Sequence, residues 1–173
     1  MSFEKIDTST PEGFAFRLER EYGLNIQRNR DTMNALSAGW WELCPIAGIA
    51  NSKTGDVTFT FDPEKEFPDD LLNYALCHEV GHILEAREQG MDLYIWRYQV
   101  EQLEVETEAW DRADAIMAHF RHFPSDHERA EMNVFRQLCL GTYEEGAARP
   151  EHQAKVDRLL EDGNLDSLLT ETE

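Results

Sequence analysis

At 173 residues, with 41% hydrophobic and 10% aromatic side chains, the chain has the apolar content of one folded domain and too much for a disordered one. A formal net charge of -19 at pH 7 repels phosphate backbones and anionic lipid headgroups, which excludes non-specific binding to nucleic acid or to a membrane surface. Cys44, Cys77 and Cys139, odd in number and widely spaced, read as reduced thiols rather than a disulfide framework.

From Pro11 to about Leu36 the chain reads as helical, with Phe14, Leu18, Tyr22 and Leu24 on an apolar face. Gly39 to Ala50, rich in aromatic and β-branched residues, is expected as the first strand, bent near Pro45. Asn51-Ser52-Lys53-Thr54-Gly55 is turn chemistry, and Val57, Phe59 and Phe61 then alternate with Thr58 and Thr60 as in a half-buried strand. Glu64 to Asp69 links this strand to a helix opened by Pro68 and Asp69-Asp70 and running to about Glu88, before Gly90. A long helix from about Leu93 to His119 follows. Ser125 and Glu128 match a capping box that opens another, ending near Gly141. Pro150 to Glu161 reads as a last amphipathic helix before an acidic tail from Gly163. No repeat or boundary divides the chain. The expectation is one α+β domain over residues 1–173, helices packed on a short antiparallel sheet, with a catalytic core at about 39–122 and C-terminal helices at about 125–170.

The chemistry is concentrated in His78-Glu79-Val80-Gly81-His82, an H-E-x-x-H motif. Four positions apart on a helix, the two imidazoles leave one face and can grip a single Zn²⁺, while Glu79 reaches the water on that ion. Leu72, Ala75, Leu76, Val80, Ile83 and Leu84 form an apolar stripe beside them, a rigid and partly dry seat. Gly81 costs about 1 kcal/mol of helix propensity relative to Ala, which suits a position where another backbone must come close. Cys77 faces about 100° away from its neighbour His78 and reads as core.

A catalytic zinc takes three protein ligands and keeps a further position open. The candidates for the third lie between Glu101 and Asp111. Val100, Leu103, Thr107, Trp110 and Met117 make an apolar stripe, the expected core face. Glu101, Glu104, Glu108 and Asp111 share the adjacent face, continued by Ala115, His119 and His122. Glu108 is the first choice and Glu104 the second, the other carboxylates being available to orient a metal-bound histidine. An ordinary solvated acidic face would show the same spacing.

The segment Gly55 to Ala118 resembles the ImmA/IrrE group of minimal zinc metallopeptidases. The matching pieces are Gly55 to Pro63, a hairpin strand ending in a D-P step; His78 to His82; and the dipeptide Glu108-Ala109. The resemblance implies a small zincin-like fold, His78, His82 and Glu108 as zinc ligands, and Glu79 as the catalytic residue. It also implies a specific protein substrate, such as a transcriptional regulator. The family's usual residues after E-A are replaced here by Trp110-Asp111-Arg112-Ala113, and the sequence shows no helix-turn-helix that would bind nucleic acid directly.

The expected activity is therefore that of a zinc metalloendopeptidase. Glu79 is the general base and then the proton donor to the leaving amine. For the oxyanion donor, His119 on the ligand-bearing face ranks first, with His122 on that face and Tyr94 and Tyr98 near in sequence; His127 and His152 receive no role. A peptide substrate would add to an exposed sheet edge, with Val57 to Phe61 the first candidate and the Trp40-Trp41 strand the second. The alternatives are a zinc-binding protein that recognises a partner without cleaving it, and an acidic decoy for a basic or regulatory partner. With no signal-peptide pattern and no membrane-length apolar run, the expected location is the cytoplasm.

Overall fold

The computed structural model describes residues 11–29, 46–51, 53–61, 68–141 and 143. Within them the chain forms α1 (Pro11–Tyr22), β1 (Asn25–Asn29), β2 (Ile46–Asn51), β3 (Asp56–Phe61), α2 (Asp69–Gln89), α3 (Met91–Val100), α4 (Gln102–His119) and α5 (Asp126–Gly141). The expected Trp40-Trp41 strand, the bend at Pro45, the helix from Pro150 and the acidic tail lie outside the described residues.

The first helix is shorter than its apolar pattern suggests. Gly23 adopts a left-handed φ of 62°, which ends α1 at Tyr22 and turns the chain into β1. Arg87 of α2 donates to the carbonyls of Tyr22 at 2.6 Å and Gly23 at 3.4 Å, satisfying acceptors that a helix end leaves open. Glu19 then receives the backbone N–H of Ile26 at 2.8 Å and so anchors β1 to α1.

Three strands form one sheet in the order β1-β3-β2. The turn before Gly55, whose φ is 76°, joins β2 and β3 as an antiparallel hairpin with Ala50 opposite Val57. β1 runs parallel to β3, with Ile26 opposite Val57. The α+β class holds, but the sheet is mixed rather than antiparallel. β3 is its central strand, paired on both sides, so Val57 to Phe61 is no open edge; among the described residues the outer strands are β1 and β2.

The helix bearing the motif is the spine. α2 lies against β2 and is surrounded by α1, α3, α4 and α5. Its residues are buried almost continuously from Leu71 to His78 and again from Val80 to Ile83. Phe14 and Leu18 from α1, Val57 from β3, Trp110 and Met117 from α4, and Phe135 and Leu138 from α5 complete the core around it. At Gly81 the reading of a close backbone is borne out: a Cβ there would stand 2.7 Å from the Ala109 carbonyl oxygen and 3.3 Å from its Cα. Glycine is what allows α2 and α4 to touch.

The long second helix is broken in two. Glu101, at φ -125° and ψ 40°, separates α3 from α4. The break resets the phase of the buried face. α4 buries Val105, Glu106, Ala109, Trp110, Ala113, Ile116 and Met117, whereas Val100 and Leu103 of the predicted stripe are exposed at 63% and 38%. α5 opens with the predicted capping box: the Glu128 carboxylate accepts from Ser125 N–H at 2.6 Å, and Ser125 Oγ accepts from Glu128 N–H at 3.3 Å. No helix among the described residues is long and apolar enough to cross a membrane.

Candidate metal centre

His78 and His82, one turn apart on α2, point their Nε2 atoms at each other across 3.1 Å. Directly opposite, α4 delivers Glu106, whose Oε2 lies 3.2 Å from His78 Nε2 and 3.4 Å from His82 Nε2. All three residues are buried. A tetrahedral ion with metal–ligand distances near 2.0–2.1 Å spaces its ligand atoms about 3.3 Å apart. The three atoms thus outline one face of such a tetrahedron, with two neutral nitrogens and an anionic oxygen as the donors. Zinc favours this donor set, and a carboxylate this deep in the protein requires a cation or a proton beside it.

The electrostatics follow from that crowding. Burial, followed by the nearness of His82, pulls the His78 pKa down to about 4, against the opposing pull of Glu106. Burial also works against a charge on His82, but Glu106, Glu79 and Glu85 outweigh it and raise its pKa. Burial likewise opposes ionisation of Glu106, and the hydrogen bonds from the two imidazoles overcome it, holding the carboxyl well below the usual range. Glu79 is half-buried by surface, yet desolvation pushes its carboxyl up to about 7, with His82 opposing and Glu106 assisting. A proton on His82 is therefore favoured by the carboxylates around it, Glu106 first.

Aromatic residues fix the ligands. Trp110, one turn beyond Glu106 on α4, stacks on His78 with ring centroids 4.0 Å apart and planes at 23°. The Tyr94 hydroxyl lies 3.1 Å from His82 Nδ1, the nitrogen left over when Nε2 binds a metal. Tyr98 donates its hydroxyl proton to Glu106 Oε1 at 2.8 Å, and the Tyr143 hydroxyl neighbours that of Tyr98. Burial first, and the Glu106 charge second, push Tyr98 up to about 12, so it remains a donor.

Both tyrosines come from α3, which buries no residue of its own. Arg97 holds it in place. Its guanidinium reaches Glu85 of α2 at 2.8 Å, both oxygens of Glu108 of α4 at 2.9 Å, and Glu101 at 3.1 Å.

The sequence expectations divide accordingly. His78 and His82 come together as the motif implied, and Glu79 is near enough for His82 and Glu106 to shift its pKa. Glu108 does not join them: its carboxylate is held by Arg97 on a half-exposed face, and Glu106 stands in the position expected of it. Glu104 is more exposed still, at 3.8 Å from Arg97. His119 lies near the far end of α4, about 20 Å along the helix from Glu106, exposed and 3.5 Å from Glu21; it is not in a position to serve an oxyanion at this centre. His122 pairs with Asp70 at the start of α2 and contacts the Phe14 ring, a structural tie. Cys77 is buried core, its thiol pKa raised well above the ordinary value by desolvation. His127 lies 4.0 Å from Glu131, and His152 is outside the described residues. The missed residue, Glu106, left one signal: it is the acidic residue that falls inside the 3–4 spacing of Val105, Ala109, Trp110, Ala113 and Ile116.

No protein-family model, curated protein or solved structure matches this chain.

Proposed function

We propose that the chain is a zinc-dependent metalloendopeptidase of zincin-like, ImmA/IrrE-like layout, acting in the cytoplasm on a specific protein substrate such as a transcriptional regulator. The observation that carries this reading is the buried triangle of His78 Nε2, His82 Nε2 and Glu106 Oε2, with Glu79 on the turn between the histidines. His78, His82 and Glu106 would hold the ion. When bound, zinc supplies a Lewis acid for the substrate carbonyl and lowers the pKa of the attacking water. Glu79, close enough to sense both His82 and Glu106 electrostatically, takes the proton from that water and hands it to the leaving amine. Tyr94, Tyr98 and Tyr143 surround the same space with hydroxyls that stay protonated at neutral pH, since burial raises the pKa of each.

A shallow, open depression of about 830 Å³ lies over the junction of α3 and α4, lined by Val100, Leu103, Glu104, Thr107 and Tyr143 and by none of His78, Glu79, His82 and Glu106. The hydroxyl of Tyr143 connects this depression to Tyr98 and so to the ligand Glu106. The sheet contributes through β2, the edge strand nearest α2, which replaces β3 as the strand to which an extended peptide would add.

The test uses the purified full chain. Metal analysis is expected to find about one zinc per chain, as a single three-ligand site requires. The zinc-loaded protein should cleave a proteome-derived peptide library, and Glu79→Gln should retain its zinc while losing cleavage. A chain that takes up no zinc, or a Glu79→Gln variant that cleaves as well as the parent, overturns the reading.

A further inference from the structure

Glu106 has two oxygens, and the structure treats them differently. Oε2 faces both imidazole nitrogens, at 3.2 and 3.4 Å, while Oε1 accepts the Tyr98 hydroxyl at 2.8 Å. A carboxylate next to a zinc ion can chelate through both oxygens, because zinc expands readily from four ligands to five. With the two histidines and a bound water that would make five ligands, leaving no further position for a substrate carbonyl. The open position on which a Lewis-acid mechanism depends would then be contested by the protein's own ligand.

We propose that Tyr98 is a positioning residue that holds Glu106 to one-oxygen coordination and thereby keeps a ligand position on the metal free. The inference rests on the metallopeptidase reading and concerns how its third ligand is controlled. Two features make the hydroxyl suited to the task. A phenol has one proton, and Tyr98 gives it to Glu106 Oε1 at 2.8 Å. The adjacent Arg97 ties α3 to Glu85 on α2 and to Glu108 on α4, the two helices that carry the ligands, so the tyrosine is held in register with both. Tyr94, on the same helix, provides a contrast. It meets Nδ1 of His82, a ring that binds one metal through one nitrogen whatever its partner does, so Tyr94 fixes orientation and leaves the number of ligands alone.

Cobalt(II) in place of zinc reports the number of ligands through its visible absorption, which is intense with four ligands and weak with five or six. The experiment loads the full-length parent, Tyr98→Phe and Tyr94→Phe with cobalt and records both the spectrum and the affinity. The parent and Tyr94→Phe are expected to show the intense band, the latter binding about 10–100-fold more weakly. Tyr98→Phe is expected to lose intensity as Glu106 turns to chelate. In a Glu106→Gln background, whose amide cannot chelate, Tyr98→Phe should change nothing. An unaltered band in Tyr98→Phe, or the same loss in the Glu106→Gln background, overturns the proposal. Should Tyr98→Phe fail to fold, a crystal structure of the zinc-loaded parent decides. One Glu106 oxygen at about 2.0–2.2 Å from the ion, with the other still on Tyr98, supports the proposal; both oxygens on the ion overturn it. A parent that binds neither metal removes the metallopeptidase reading as well, whereas a metal-loaded parent with an indifferent Tyr98 removes this inference alone.

Discussion

Glu106 and Glu108 are two residues apart on one helix and differ in almost every physical respect. Glu106 is buried against both imidazoles, and Glu108 is half-exposed and neutralised by Arg97. Glu106→Ala should therefore weaken zinc binding by more than the roughly 10–100-fold that loss of a supporting hydrogen bond costs, and Glu108→Ala by less than about tenfold. Titration against a chelator of known affinity measures both, and equal losses would refute the assignment. The protonation states add a second expectation. Zinc must displace the proton from His82, whose pKa is raised, but not from His78, already neutral above about 4, nor from Glu106, whose pKa is held low. In Glu79→Gln, where the base adds no proton of its own, the apparent zinc affinity should rise about tenfold per pH unit between about pH 5 and 6.5. A hundredfold rise per unit would mean that both imidazoles are charged in the metal-free protein.

At the scale of elements, what could be read in the sequence was what local pattern determines. The HEVGH helix, the capping box of Ser125 and Glu128, the turn at Gly55 and the strand β3 are each set by a few neighbouring residues, and each is present. β1 was not legible because Asn25-Ile26-Gln27-Arg28-Asn29 carries little strand signal of its own and is fixed by pairing with β3. Glu106 escaped notice because the stripe counted from Val100 ran through Leu103 and Thr107; α4 does bury Trp110 and Met117 of that stripe, but its first turns bury Val105 and Glu106 instead. Gly81 is the element-scale feature that sequence did anticipate, and it yields a prediction. Gly81→Ala gains helix propensity, yet its Cβ would meet the Ala109 carbonyl at 2.7 Å. A backbone oxygen cannot swing aside as a side chain can, so α4 must move away from α2. The variant should lose about 1–3 kcal/mol in urea unfolding and bind zinc more weakly, because the shift draws Glu106 from the histidines. Unchanged stability together with unchanged affinity would mean that the helices are not in contact there.

The whole molecule carries a formal charge of -19, and several of its carboxylates, Glu79, Glu85 and Glu106, converge on the interior around α2. Arg97 compensates Glu85 on one side of this cluster, and the two histidines face Glu106 on the other. A divalent cation bound there would offset the remaining negative charge and also join α2 to α4, the pair of helices on which the rest of the fold is assembled. Metal binding should then be visible in global stability. A ligand present at a thousand times its dissociation constant adds about 4 kcal/mol, and each kcal/mol is worth about 2–4 °C in a domain of this size. Chelation should accordingly lower the melting temperature by roughly 10 °C, and restoring zinc should recover it. Glu79→Gln should melt with the same zinc-dependent increment as the parent, since the proposed function gives Glu79 a part in the chemistry and none in holding the ion. Glu106→Ala should show almost none of that increment. Calorimetry of the three proteins with and without chelator separates the contributions. An increment that survives the loss of Glu106 would move the cation to other donors and leave the buried triangle as an ion pair closed by the proton on His82.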